Sequence, residues 1–462
     1  MNKQLTISPV DGSVYVERPF ATGAEISATL DRAVKAQSQW KHASIAARAA
    51  ICHKFCDALL AHANEIGLEI CWQMGRPISQ APNEARGGVE RTRFMIDEAE
   101  AGLAAYDPGP KDGFKRYIKR EPLGVVYVIA PWNYPILTTV NSVIPSIMAG
   151  NAVVLKHSPQ TPLVAERFAQ CFAEAGLPEG VFQVLHLSHE DAENTVRDSR
   201  VNHVAFTGSV ATGHKVQRAA ADRFISIGLE LGGKDPGYVR ADADVAFAVE
   251  NLIDGAFFNS GQCCCGIERL YLHENVYDEF IERAVAMANA YRLGDPTRQD
   301  TNLGPVVNIR AAEFIRGQVA EAVSQGAKTL VDTSRFEMDK PGTTYVAPQI
   351  LVDVDHSMRV MTEETFGPIV GVMKVKSDEE ALALMNDTPF GLTAAIFTRD
   401  TEAAEALGDR IETGTVFLNR CDALDPALPW VGVKDSGRGY TLSRWGYETL
   451  TRPKAYHLRL PA

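Results

Sequence analysis

LGVVYVIAPWNYPILTTVNSVIPSIMAGNAVVL, residues 123–155, is the most apolar stretch of the chain and decides how the rest is read. Pro131, Asn133, Pro135, Asn141, Pro145 and Asn151 interrupt it. It therefore lacks the run of about twenty apolar residues that a membrane helix needs. Residues 125–129 and 152–155 read instead as short strands. Working outward, residues 163–175 form a helix that ends near Gly176, and 181–185 and 203–206 are strands. Residues 213–224 are helical and 225–229 a strand. Alternation of this kind predicts an α/β protein with a parallel sheet covered by helices.

The same texture resumes after Asp242, with helices at 245–259 and 276–290 and a further α/β unit reaching Phe417. Upstream, the first hundred residues read helical. Thr22 and Glu25 make a capping box ahead of Ile26, Leu30 and Val34, and Ile51, Phe55 and Leu59 continue an apolar stripe. Cys52 and Cys56, four apart on that helix, read as small buried hydrophobes, since no further metal ligands lie near them. Gly75-Arg76-Pro77 breaks the helical pattern. Residues 107–119 leave the first domain as an excursion, and the tail 451–460 alternates like an edge strand.

With 462 residues there is room for about three domains, or one large α/β unit with an appendage. Hydrophobic residues are 45% and charged ones 23%, which excludes a disordered or collagen-like chain. A net charge of −12 argues against nucleic acid or an anionic membrane as partner. The start, MNKQLTISPVDGS, has no apolar leader, and 8 cysteines are too dilute for a disulfide scaffold. The expectation is reduced thiols and a cytoplasmic location.

Five groups can carry chemistry. Cys263-Cys264-Cys265 follows the small polar turn of residues 259–262. Three consecutive thiols do not suit one metal; they are either a nucleophile with neighbours or three buried thiols. Glu230 ends an apolar run ahead of Gly232-Gly233, where open α/β sheets place ligands. Burial would suit it to general-base work, and a surface charge or helix cap is the plain alternative. Phe206-Thr207-Gly208-Ser209, a strand running into a glycine turn and a helix, either binds phosphate or uses glycine for geometry alone. Pro131-Trp132-Asn133-Tyr134-Pro135 either fixes the Asn133 amide for an oxyanion or is a structural turn. Lys156 either holds a sugar hydroxyl or phosphate or is solvated.

The order and spacing of these groups resemble the aldehyde dehydrogenase superfamily, from the first helices to the C-terminus. The matching stretches are PWNYP, NAVVLKHSPQTP, FTGSVATG, LELGGKDP, FFNSGQCCC, EETFGP and WVGVKDSGRG, together with the step from Glu230 to Cys264. The resemblance implies a variant Rossmann cofactor domain at 1–108 and 121–232, an α/β catalytic thiol domain at 233–448, and a small β oligomerisation extension at 109–120 and 449–462. It implies a homodimer or homotetramer with no nucleic-acid or membrane partner and no metal.

It further implies NAD(P)-dependent oxidation of an aldehyde to an acid. Cys264 would be the nucleophile, Asn133 would hold the oxyanion, and Glu230 would activate water. Trp132, Lys156, Ser158, Pro159, Thr207, Gly208, Ser209, Leu231, Glu364 and Phe366 would meet the cofactor. Tyr134, Asn141, Phe258, Cys263, Cys265, Arg420 and Trp430 would meet the substrate, alongside Leu137, Thr138 and Leu424.

Three departures from the family pattern stand out. Pro159 replaces a glutamate common in NAD-preferring members, with Ser158 before it. NAD is favoured, but no charge here repels NADP. Ser142 and Thr441 replace a lysine and a glutamate that relay protons, so Glu230 is expected to exchange protons through water. The two arginines that hold a distal carboxylate in succinate-semialdehyde members are absent at Asn141 and Phe258, which disfavours that substrate. Arg420 is either an anchor for an anionic tail or a partner of Asp422. A CoA-acylating relative, or a non-catalytic protein of the same fold, is the alternative; Glu230 argues against the first, and intact Cys264, Glu230 and Asn133 against the second.

Overall fold

Residues 3–461 are described by a computed structural model, in which the two strands of the opening stretch lie side by side. Val125–Ala130 pairs in parallel with Ala152–His157, and the latter with Phe182–Val184. On its other edge Val125–Ala130 pairs in parallel with Val201–Thr207, which pairs with Ser226–Glu230. Val125–Ala130 and Ala152–His157 are buried almost throughout, because helices cover both faces. Strand order therefore reverses between Val125–Ala130 and Val201–Thr207. The crevice beyond the carboxyl ends of such a pair is where open α/β sheets bind ligands.

A second sheet of seven strands runs in the order Lys328–Thr329, Gln349–Val352, Ile369–Val375, Ile267–His273, Asp235–Val239, Thr393–Phe397 and Thr415–Leu418. All its pairings are parallel except the first. A late segment returns to the first sheet: Gly437–Arg438 pairs antiparallel with Leu229 and Glu230. Residues 233–448 are thus not confined to one sheet. Gly437 has φ +143°, and a Cβ there would lie 2.1 Å from the Leu229 carbonyl oxygen, so only glycine brings this strand against Glu230.

The excursion and the tail meet. Phe114–Pro122 and Thr451–Arg459 form a two-stranded antiparallel ribbon of nine register pairs, two residues past the expected limit at 120. Tyr117 stacks on Tyr456 at 4.5 Å across it.

Two expectations are corrected. The chain does not begin helical: Lys3–Ile7 and Val14–Pro19 form a hairpin. Alternate residues of Lys3–Ile7 are buried, a period-two pattern that the helical stripes downstream overshadow. The helix expected at 213–224 is Val210–Ala219, because the Ser209 hydroxyl accepts the Thr212 N–H and starts it earlier. The Thr22/Glu25 capping box is present. Cys52 and Cys56 are fully buried, and no metal-binding cluster occurs among the described residues. No helix among them is long and apolar enough to cross a membrane.

Candidate active site

Strand ends deliver the motif residues to one place. Val125–Ala130 runs into Trp132 and Asn133, Val201–Thr207 into Gly208 and Ser209, and Ser226–Glu230 ends on Glu230 itself. Thr207 is the register partner of Glu230, and its hydroxyl donates to Glu230 Oε2 at 2.9 Å. The Thr441 hydroxyl donates to Oε1. Both carboxylate oxygens thus have a donor, yet burial still raises the Glu230 pKa above the ordinary carboxylate range. Behind it a gap of about 20 Å³ is bordered by Ser142, His203, Thr207, Glu230 and Thr441, enough for a water molecule. His203 is kept neutral there, its pKa pushed down to about 4 by burial.

The helix Val245–Phe257 leads into a tight turn in which Asn259 and Ser260 take φ +54° and +56°. Gly261 has φ +70°, and a Cβ on it would lie 2.1 Å from the Gly367 carbonyl oxygen, so this turn can press against the EETFGP loop only with glycine there. Of the three thiols that follow, Cys263 and Cys265 are buried, with their sulfurs 3.5 Å apart, and Cys264 is half-buried. Cys264 is therefore the one a reagent can reach. The neighbouring Cys263 sulfur and burial hold its pKa above the ordinary thiol value. The Asn133 amide donates to the Gln262 carbonyl at 3.3 Å, which ties it to this loop two residues before Cys264.

A cavity of about 80 Å³ is lined by Cys263, Cys264, Cys265, Glu230, Thr207, Leu231, Tyr134, Leu137, Thr138, Asn141, Leu424 and Trp430. Arg91, which the sequence did not single out, and Asp422, named there only as a partner for Arg420, complete the lining. Thr207 and Leu231, expected on the cofactor side, thus face this cavity too. Phe258 and Arg420 do not line it. Phe258 precedes the left-handed turn that redirects the chain toward the thiols. Arg420 is exposed, because the Asn419 side chain exchanges two hydrogen bonds with the Thr398 backbone and holds that part of the loop outward. A roomier concavity, about 630 Å³, lies between the N-terminal hairpin and residues 337–345. No thiol, histidine or buried charge lines it.

Two buried ion pairs hold the site. Arg76 pairs with Glu84, and its guanidinium also donates to the Asn133 carbonyl and to Asn259 Oδ1. Glu84 in turn accepts the Ile136 N–H at 2.7 Å. The Arg76 side chain lies over the Tyr134 ring at 4.4 Å. The signal for it was the Gly75-Arg76-Pro77 break. Lys234 pairs with Glu268, and Glu268 accepts the backbone N–H groups of Thr365 and Phe366 at 2.8 Å. The lysine of LGGK therefore positions the EETFGP loop. A Glu268→Gln variant leaves an uncompensated buried ammonium, and should lose about 3–5 kcal/mol of stability in denaturant unfolding.

The other residues suited to a dinucleotide do not line the Cys264 cavity. Lys156 is only 5% exposed, and its ammonium makes no hydrogen bond or ion pair among the described residues. Burial alone pulls its pKa down to about 8. A buried cation at the mouth of the strand-order reversal fits a sugar-phosphate ligand. The exposed Ser209 caps a ten-residue helix whose amino end suits a pyrophosphate. Glu364 accepts the Gly233 N–H at 3.2 Å, and burial followed by the Glu268 charge pushes its pKa up to about 8. Trp132 and Phe366 meet edge to face at 5.5 Å. Ser158 is half-buried, and the Pro159 carbonyl accepts the Thr6 hydroxyl at 2.8 Å, so the hairpin covers this place.

Two sheets, a reversal crevice and a half-buried thiol that shares a cavity with a buried carboxylate fit an oxidoreductase of the aldehyde-oxidising class. The chain belongs to the aldehyde dehydrogenase family, which it matches over residues 2–456. It is 34% identical over 446 residues to succinate-semialdehyde dehydrogenase [NADP(+)] 1 of Mycobacterium tuberculosis, covering 96% of each chain. It is 34% identical to the Escherichia coli succinate semialdehyde dehydrogenase [NAD(P)+] Sad, covering 96% of this chain and 95% of that one. Among solved structures, PnpE in complex with nicotinamide adenine dinucleotide superposes with a TM-score of 0.95 at 30% identity, covering 100% and 95% of the two chains. The chain is accordingly an enzyme that oxidises an aldehyde with NAD or NADP.

Proposed function

We propose that this chain oxidises a small aldehyde to the free carboxylic acid through a covalent adduct on Cys264. The observation that carries the reading is the placing of the half-buried Cys264 and the doubly hydrogen-bonded Glu230 in one wall of one cavity, with Asn133 tied to the cysteine loop. The Cys264 sulfur adds to the carbonyl carbon, and the oxygen becomes an oxyanion. The Asn133 amide and the Cys264 backbone N–H stabilise it. A nicotinamide held beside the site would supply the hydride acceptor, and Cys264 then carries the acyl group as a thioester. Glu230 then takes a proton from water as the oxygen attacks the thioester; the C–S bond breaks and the acid leaves. The water-sized gap behind Glu230 gives that proton a way out, where Ser142 and Thr441 stand in place of a charged relay.

Lys156 and Glu364 would hold the two riboses, and Ser209 the pyrophosphate. No carboxylate opposes a 2′-phosphate at Pro159, which supports use of either dinucleotide. The exposed ribbon supports pairing of subunits into dimers or tetramers, and 8 unpaired cysteines support a reducing, cytoplasmic setting. The test is formation of NADH and NADPH over aliphatic, aromatic and carboxylated aldehydes, with free acid assayed in the absence of CoA. Acid formed without CoA supports the reading. A strict need for CoA, or no reduced cofactor on any aldehyde with folded protein and a reactive thiol, overturns it.

A further inference from the structure

Arg91 is the feature of the cavity that this chemistry does not use. It lies on the helix Ala81–Asp97 and lines the same cavity as Cys264 and Glu230. Its Nη1 donates to the Leu137 carbonyl at 3.2 Å and to Asn141 Oδ1 at 3.3 Å. Among the described residues Nε and Nη2 donate to nothing, and no carboxylate comes within ion-pair distance. Two other interior guanidiniums are satisfied: Arg76 has Glu84, and Arg269 donates to the carbonyls of Lys234, Leu384 and Met385; the buried Arg48, whose Nε is also unpartnered, does not line the cavity. Burial weakens the hold of Arg91 on its proton, and the nearby Cys265 and Glu230 partly restore it; a guanidinium stays charged throughout the working pH range. Arg91 is half-buried, and holding its charge partly out of water without a partner has a cost. Helix Leu137–Ala149, through residues 137 and 141 one turn apart, occupies only one side of the fork. The unused N–H groups match a carboxylate.

One group of opposite sign lines the cavity besides Glu230. Asp422 is pushed up to about 7, mainly by burial, so it is partly neutral near pH 7 whereas Arg91 is not. The arginine absent at position 141 is in effect supplied from the neighbouring helix, with Asn141 as its rest.

Building on the reading of Cys264 as nucleophile, we infer that Arg91 anchors an anionic group at the far end of the substrate. The substrate class is then a short aldehyde bearing a carboxylate. Turnover of succinate semialdehyde, of butanal as its neutral four-carbon counterpart and of 4-aminobutanal tests this in the wild type, Arg91→Met and Arg91→Lys. The wild type should prefer the carboxylated aldehyde over butanal by about 100-fold in kcat/KM. Arg91→Met should collapse that ratio toward unity through KM, and Arg91→Lys should restore part of it. An equal fall in kcat for both substrates would overturn the inference and make Arg91 a support for Glu230 or Cys264. Wild-type preference for butanal or the amino aldehyde would overturn it as well, leaving the chemistry intact. No turnover of any aldehyde by the wild type would instead sink the reading on which it rests.

Discussion

A Glu230→Gln variant will form about one equivalent of reduced cofactor per subunit and then stall. Attack on the aldehyde needs only the Cys264 thiolate, and Cys264 is half-buried on the wall of the cavity, so water there can take its proton. Release of the acid needs a base beside the thioester. Glutamine keeps the size and can accept from one of the Thr207 and Thr441 hydroxyls while its amide N–H donates to the other, but it cannot accept a proton. Steady-state turnover should fall by about 10²–10⁴-fold, the usual weight of a general base, while the rapid first turnover survives. Rapid-mixing absorbance of the nicotinamide separates the two. In the wild type, burial raises the Glu230 pKa. The carboxylate is the working form, so the acid-release rate should decline as pH falls through that raised value. The variant should lack this limb. Loss of the first turnover as well would mean that Glu230 also activates the thiol.

The second large effect concerns which of three adjacent sulfurs reacts. Cys264→Ala should lower turnover by on the order of 10⁵-fold or more, since no other group can form the covalent adduct. Cys263→Ala and Cys265→Ala remove buried sulfurs, and should change turnover far less while lowering stability by about 1 kcal/mol each. Alkylation followed by peptide mapping should find Cys264 modified first. Preferential labelling of Cys263 or Cys265, or turnover by Cys264→Ala, would reassign the nucleophile.

Much of the site could be read without coordinates, and the reason is local. Asn133, Glu230 and Cys264 each sit beside a proline, glycine or strand end that leaves a mark in the sequence. Glu84 and Glu268 leave almost none, and the break at Arg76 and the turn at Gln262 do not say what those residues bond. Their partners lie far along the chain, as Arg76 to Asn259 and Lys234 to Thr365 illustrate. Arg420 looked like the natural cation for the pocket because it follows Asn419 in the chain. The Asn419–Thr398 bonds turn it to solvent, and Arg91 holds the pocket from another helix.

The amino-acid sequence by itself determined the α/β class, the parallel strands of residues 123–156 and 201–230, the capping box at Thr22 and the choice of the three groups proposed to do chemistry. These are short-range consequences of hydrophobic period, caps and turn residues. Only the tertiary structure decided which thiol is accessible, that Thr441 reaches Glu230 across a returning strand, that the N-terminal hairpin covers Pro159, and that Arg91 stands in the cavity without a carboxylate. Each of these depends on which distant segments share a boundary, and burial then sets what a charge or a thiol can do there.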